Sequence, residues 1–228
     1  MFNVVALALI VLAVAASTFL GFDLERAGQP SFALVACGPT VVLAVVAVLR
    51  ARRDGVLKDW FGFRGGDFTV GFLTAAALFG ATWLFTRQTM GRGTARESWL
   101  ARLYLQMGDP TVLRKHVAWV VVAVVIMSVA EELVWRGLVI SLLEEKVGSR
   151  RAWVYAPVLY AVAHIPSAWA LRDPVAGLNP LLPLGALVCG LAWSYMFRRL
   201  GRLTPGMFSH GLFDWGVVMM FRLWGPSL

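Results

Sequence analysis

An apolar run of about 18–20 residues is long enough to cross a bilayer, and this 228-residue chain repeats such runs along nearly its whole length. Hydrophobic residues make up 59% of it and charged residues 15%, against about 25% charged in ordinary soluble domains. Lipid offers no hydrogen-bond partner to a bare peptide group, so each run must satisfy its backbone internally, as a helix. The pattern predicts an all-α, polytopic helical membrane protein with about seven transmembrane helices. It leaves no segment of useful size for a soluble domain, so residues 1–228 are expected to form a single integral-membrane domain.

The predicted spans are about Phe2–Phe22, Ser31–Leu49, Asp67–Phe85, Val117–Leu143, Trp153–Ile165, Leu181–Phe197 and Thr204–Leu223. Pro166 is expected to bend or end the fifth, while Pro205 falls in the first turn of the seventh, where proline is tolerated. The first span lacks an early Lys or Arg and is too long for a signal peptide, although "AVAAS" (Ala13–Ser17) faintly resembles a cleavage site.

The net charge of +8 suggests loop anchoring at a membrane, not a nucleic-acid partner. Basic clusters fall at Arg50–Arg64, Glu144–Arg151 and Arg198–Arg202. Counting spans puts all three on one side, which predicts a cytoplasmic N-terminus in a multi-pass cell-membrane protein, a bacterial inner membrane being the expected setting. The basic segment Arg87–His116 falls on the opposite side and conflicts with the rule. Its "SWLARLYLQM" (Ser98–Met107) is amphipathic and is expected to lie along the interface. Cys37 and Cys189 each sit in an apolar run and read as free thiols.

Charges inside the spans carry the functional signal. "AEELVWRGL" (Ala130–Leu138) places Glu131, Glu132 and Arg136 in the fourth span. A charge near the bilayer centre costs about 2.5–3.5 kcal/mol on insertion scales, so these groups must face the protein interior or a water-filled cavity. Glu132 and Arg136 are four apart and share a helix face, which predicts an ion pair. Glu131 lies about 100° around the helix and is free to aim elsewhere. On its own this stretch supports only a buried pair that locks helix packing.

Two further spans change that reading. "YAVAHIP" puts Tyr160 and His164 one turn apart, and "HGLFD" does the same for His210 and Asp214. Two of the three histidines in the chain thus occupy apolar spans, each with a partner on its own face. All these groups lie about 6–12 residues from the predicted cytoplasmic ends of their spans, so they can meet at a similar depth. A carboxylate and an imidazole can hold and deprotonate a water, and a second imidazole can steady the oxyanion formed when that water attacks a carbonyl. The same Glu, His, His and Asp could instead hold a divalent metal or line a proton or ion path as in a transporter. The chain has no H-E-x-x-H and no G-x-S-x-G.

In this order, "EELVWR", "YAVAH" and "HGLFD" resemble the E-E-x-x-x-R, F-x-x-x-H and H-x-x-x-[N/D] motifs of the CPBP family of intramembrane proteases. That family includes the CAAX prenyl endopeptidases of the Ras-converting type and the bacterial Abi proteins. The resemblance covers about Val117–Leu223, a catalytic core preceded by N-terminal helices and an interfacial loop over residues 1–116. It implies Glu131 as general base for water with help from His164, and His210 near the oxyanion together with position 214. Glu132, Arg136 and Tyr160 would support the site. It implies no cofactor, the metal-dependent CAAX-type enzyme being the alternative, and as partners a membrane-anchored protein or peptide substrate and the lipid bilayer. Two positions depart from the pattern. Position 160 is tyrosine where phenylalanine is usual. Position 214 is aspartate where the Ras-converting type has asparagine, and an ionised carboxylate cannot donate a hydrogen bond to an oxyanion. The chain also resembles the myxosortases, which implies a C-terminal sorting signal as substrate. A non-hydrolytic scaffold or immunity protein is the binding-class alternative.

Overall fold

The computed structural model describes residues 2–219 and contains, in chain order, α1 (Phe2–Gly21), α2 (Pro30–Arg53), α3 (Leu57–Trp60), α4 (Asp67–Thr89), α5 (Glu97–Met107), α6 (Pro110–Lys115) and α7 (Val117–Glu132). It continues through α8 (Ile140–Val147), α9 (Ser149–Ala170), α10 (Leu181–Leu200) and α11 (Thr204–Met219). Among the described residues there is no strand, so the protein is all-α, as the apolar windows require. Five helical segments are long and apolar enough to cross a membrane: Asn3–Gly21, Pro30–Arg53, Asp67–Thr89, Val117–Val147 and Leu181–Leu200.

The other two expected spans are helices that fall short of that measure. α9 is diluted by Arg150, Arg151, His164 and two prolines. α11 has 16 described residues, and the expected end at Leu223 lies outside the described residues. Pro166 does not end α9, which runs on to Ala170 with both Pro157 and Pro166 inside it. α7 and α8 form one continuous element, joined by a π-helical segment, Leu133–Val139.

Side-chain bonds show which helix ends lie together. At one end, Asn3 and Arg50 both donate to Glu145, the Leu203 N–H donates to the Trp60 carbonyl at 2.8 Å, and Arg202 grips Asp67. At the other, Gln106 Nε2 donates to the Asp23 carbonyl at 3.0 Å, Asn179 Nδ2 to the Trp99 carbonyl at 2.9 Å, and the Tyr104 hydroxyl to the Val217 carbonyl at 2.9 Å. The three basic clusters therefore share an end with the beginning of α1. The basic 87–116 segment sits at the opposite end, where α5 buries Leu100, Leu103, Tyr104 and Gln106 and leaves Ala101 and Leu105 exposed.

One apolar core runs through both halves of the chain, joining Ile10, Val14 and Ala47 to Trp135, Val139 and Ala156. α9 packs on α10 and α1, while α11 packs on α4 and α7. The motif-bearing helices α7, α9 and α11 are thus braced by the N-terminal helices. Cys37 and Cys189 are free thiols.

Candidate active site

The site begins with the π-helical turn. Glu131 and Glu132 are the last residues before or at its start, and Arg136 lies inside it. Single-turn π segments in α-helices concentrate at functional sites, and no sequence signal marks this one. Glu132 and Arg136 pair as their spacing predicts, with Arg136 Nη1 3.0 Å from Glu132 Oε1 and side-chain exposures of 0% and 1%. The contact is an ion pair lying off the line of a hydrogen bond. The guanidinium is also sandwiched between the rings of Tyr160 and Trp193, 5.1 and 5.2 Å from their centroids. Two aromatic faces and one carboxylate thus offset part of the cost of burying that charge.

Glu132 has a second partner that sequence spacing does not reveal. His210 Nδ1 donates to Glu132 Oε1 at 3.0 Å, so a single carboxylate oxygen joins Arg136 of the π segment to His210 of α11. The approach of α11 depends on Gly206, one turn before His210. A Cβ there would lie 2.8 Å from Glu132 Oε2. Gly206 on the His210 stripe is the one signal that could have pointed to this contact. Trp193 of α10 stacks on the His210 ring, with centroids 3.8 Å apart and planes at 19°, and its Nε1 donates to Ser209 Oγ at 3.0 Å. Trp193 carries no motif and is not identifiable from the sequence.

With Nδ1 committed, His210 turns Nε2 toward two acids, 3.6 Å from Glu131 Oε2 and 3.4 Å from Asp214 Oδ2. Glu131 Oε2 also accepts the hydroxyl proton of Tyr160. Side-chain exposure separates the groups: Glu131 at 14% and Asp214 at 32% are open, whereas Glu132 and Arg136 are sealed.

His164 follows Tyr160 by one turn on α9. Its ring meets the Tyr160 ring edge-on at 4.6 Å, and Nδ1 is 2.8 Å from the Tyr160 carbonyl. A carbonyl only accepts, so Nδ1 carries the proton and Nε2 is left as the acceptor. Among the described residues no hydrogen bond joins His164 directly to Glu131. Tyr160, read from the sequence only as a support, is hydrogen-bonded to both.

The geometry does not suit a metal. Among the described residues no three His, Cys, Asp or Glu side chains are grouped to hold one.

Residues 113–216 match the family model described as type II CAAX prenyl endopeptidase Rce1-like. The segment belongs to the Rce1-like family. This family is one of proteases, and the chain is accordingly an intramembrane peptidase of the CAAX type. The Rce1-like segment holds all three motif helices, from the start of α7 to most of α11. No curated protein matches the chain, and no solved structure does.

Proposed function

We propose that this CAAX-type peptidase is glutamate-dependent and hydrolyses one peptide bond of a membrane-anchored protein through a water activated by Glu131 and His164. The observation that carries the reading is the position of Glu131. It is a partly open carboxylate, bonded to Tyr160 and facing His210 Nε2, at the meeting of three apolar helices. Glu131 takes a proton from the water, with His164 Nε2 as second acceptor, while the water oxygen attacks the carbonyl carbon. The oxyanion of the tetrahedral intermediate lies against Nε2–H of His210, whose other N–H is held by Glu132. Collapse breaks the C–N bond, and Glu131 hands its proton to the leaving amine. Asp214 steadies His210 and does not line the oxyanion, because a carboxylate is an acceptor only.

An apolar groove of about 460 Å³ lies between α7 and α11, lined by Val124, Ser128, Met207, Gly211 and Trp215. Ser128 is one turn before Glu132, and Gly211 follows His210. The groove suits an apolar segment of the substrate lying beside the site. We assign as that substrate a protein whose C-terminal sorting signal is an apolar helix with a basic tail, in keeping with the myxosortase resemblance. The basic clusters at the N-terminal end of the bundle support a cytoplasmic N-terminus in a bacterial inner membrane.

The test uses the purified chain in proteoliposomes with two probes. One is an internally quenched, S-farnesylated CAAX peptide, and the other a single-span reporter ending in an apolar helix and basic tail. Glu131→Gln and His164→Ala should each lose about 100-fold or more in cleavage rate. Cleavage by either variant at the wild-type rate overturns the mechanism. Cleavage of the farnesylated peptide alone overturns the sorting-signal substrate.

A further inference from the structure

Tyr160 touches Glu131, His164 and Arg136 from one position on α9. Its hydroxyl donates to Glu131 Oε2. Its carbonyl accepts from His164 Nδ1 at 2.8 Å. Its ring lies edge-on to His164, 4.9 Å from Trp135 between centroids, and under the Arg136 guanidinium. The side chain is 5% exposed, and its freedom to move is small. Gly190 of α10 backs it so closely that a Cβ there would stand 3.2 Å from Tyr160 Cδ1.

We infer that Tyr160 is the positioning residue of the Glu131–His164 pair, fixing the carboxylate through its phenol proton and the imidazole through its backbone carbonyl. The inference rests on the proposed roles of Glu131 and His164. A carboxylate on a flexible glutamate stem can turn either oxygen to a substrate. Here Oε2 is held by the Tyr160 hydroxyl on one side and faces His210 on the other, so Oε1 is the oxygen presented to water. The carbonyl bond performs the matching task for His164. It selects the tautomer whose Nε2 bears the lone pair, so both acceptors of the water are set by one residue. The backbone half survives any substitution at 160, and only the hydroxyl half is removed by phenylalanine.

Tyr160→Phe should therefore keep the fold and substrate binding but lose preorganisation. With the farnesylated peptide or the single-span reporter, kcat should fall about 10- to 100-fold, the range for losing a hydrogen bond to a charged group, with KM within about twofold. A purely structural role predicts equal damage to binding and to thermal stability. The second readout is independent of substrate. The chain has only 4 tyrosines, so ultraviolet resonance Raman difference spectra of wild type minus Tyr160→Phe isolate this phenol. It should report a strong donor in wild type and a weaker one in Glu131→Gln. The same Tyr160 signature in both backgrounds, or an unchanged kcat in Tyr160→Phe while Glu131→Gln is inactive, overturns this inference alone. Full activity in Glu131→Gln overturns the glutamate mechanism and this inference with it.

Discussion

His210 on α11 gives its Nδ1 proton to Glu132 at the end of α7, at 3.0 Å, and the same carboxylate oxygen faces Arg136 at 3.0 Å. A group expected only to balance a buried arginine thus also orients an imidazole of the site. All three side chains are under 5% exposed, so no water replaces a lost partner. Removing one member of such a buried pair strands the other charge and costs about 3–5 kcal/mol. Glu132→Ala should lower stability by about that amount, measured by reversible unfolding in mixed micelles. It should also abolish peptide cleavage in the fraction that remains folded. Glu132→Gln keeps an acceptor oxygen for His210 and should retain part of both properties. Equal behaviour of the two variants would show that the charge alone matters.

Gly206 lets α11 come close enough for that bond. An alanine Cβ would stand 2.8 Å from Glu132 Oε2, closer than real Cβ contacts allow, and any shift of that carboxylate moves the oxygen that meets Arg136 and His210. Gly206→Ala should push α11 off α7 and cut kcat by about 10-fold or more, since misplacements of about 1 Å at a catalytic site can cost about 100-fold. Gly80, with nothing within 4 Å of its would-be Cβ, is the matched control. Gly80→Ala should leave the rate unchanged. A wild-type rate in Gly206→Ala would show that the helices adjust without disturbing His210.

What the sequence discloses here follows the range of its signals. Periodicity and hydropathy are local, so the helices and the four-residue pairing of Glu132 with Arg136 can be read directly. The cost of charge in lipid singles out Glu131, His164, His210 and Asp214 as interior groups, whichever helices they meet. The contacts between helices have no such signal. The Glu132–His210 bond, the Trp193 stack and the bond from Tyr160 to Glu131 depend on how α7, α9, α10 and α11 are rotated against one another. Tertiary packing sets that rotation, and only the small residues Gly190 and Gly206 hint at it. The end of α9 is set in the same way. Pro157 is buried against neighbouring helices and Pro166 is half-buried, yet α9 continues through both and extends past the expected stop.

Asp214 tests the division of labour at His210. Its Oδ2 lies 3.4 Å from Nε2, and its side chain, at 32%, is more open than those of Glu131 and Glu132. If it steadies the ring, Asp214→Asn should keep most of the function, because the amide oxygen can accept from the same N–H. Asp214→Val, of similar size but without an acceptor, should reduce kcat about 10-fold or more while leaving peptide affinity unchanged. Activity in Asp214→Val equal to that of Asp214→Asn would remove Asp214 from the site.

Asp173 provides a pH-dependent element outside the membrane-spanning helices. It follows the end of α9 and closes a turn through paired backbone bonds with Gly177 at 2.8 and 2.9 Å. Its carboxylate accepts the N–H groups of Ala176 and Val175 at 3.0 and 2.9 Å and meets Arg102 of α5 at 3.3 Å. These bonds, the backbone donors first and the guanidinium after them, favour the ionised form and hold the carboxyl below the usual carboxylate range. A depressed value sets the sign. The carboxylate stabilises the turn fully above its unfolded-chain value of about 3.9, and that contribution fades as pH falls through the lower folded value. The join between the 171–180 connection and α5 should therefore be closed from pH 5 to 8, in units well above about 3.9, and loosen only in strong acid. Hydrogen-exchange protection at Val175 and Ala176, corrected for the intrinsic rate, should stay level down to about pH 4 and then drop. Asp173→Asn, which cannot ionise, should show weaker protection at neutral pH and no such drop. A drop of the same size in the asparagine variant would assign the pH response to another group.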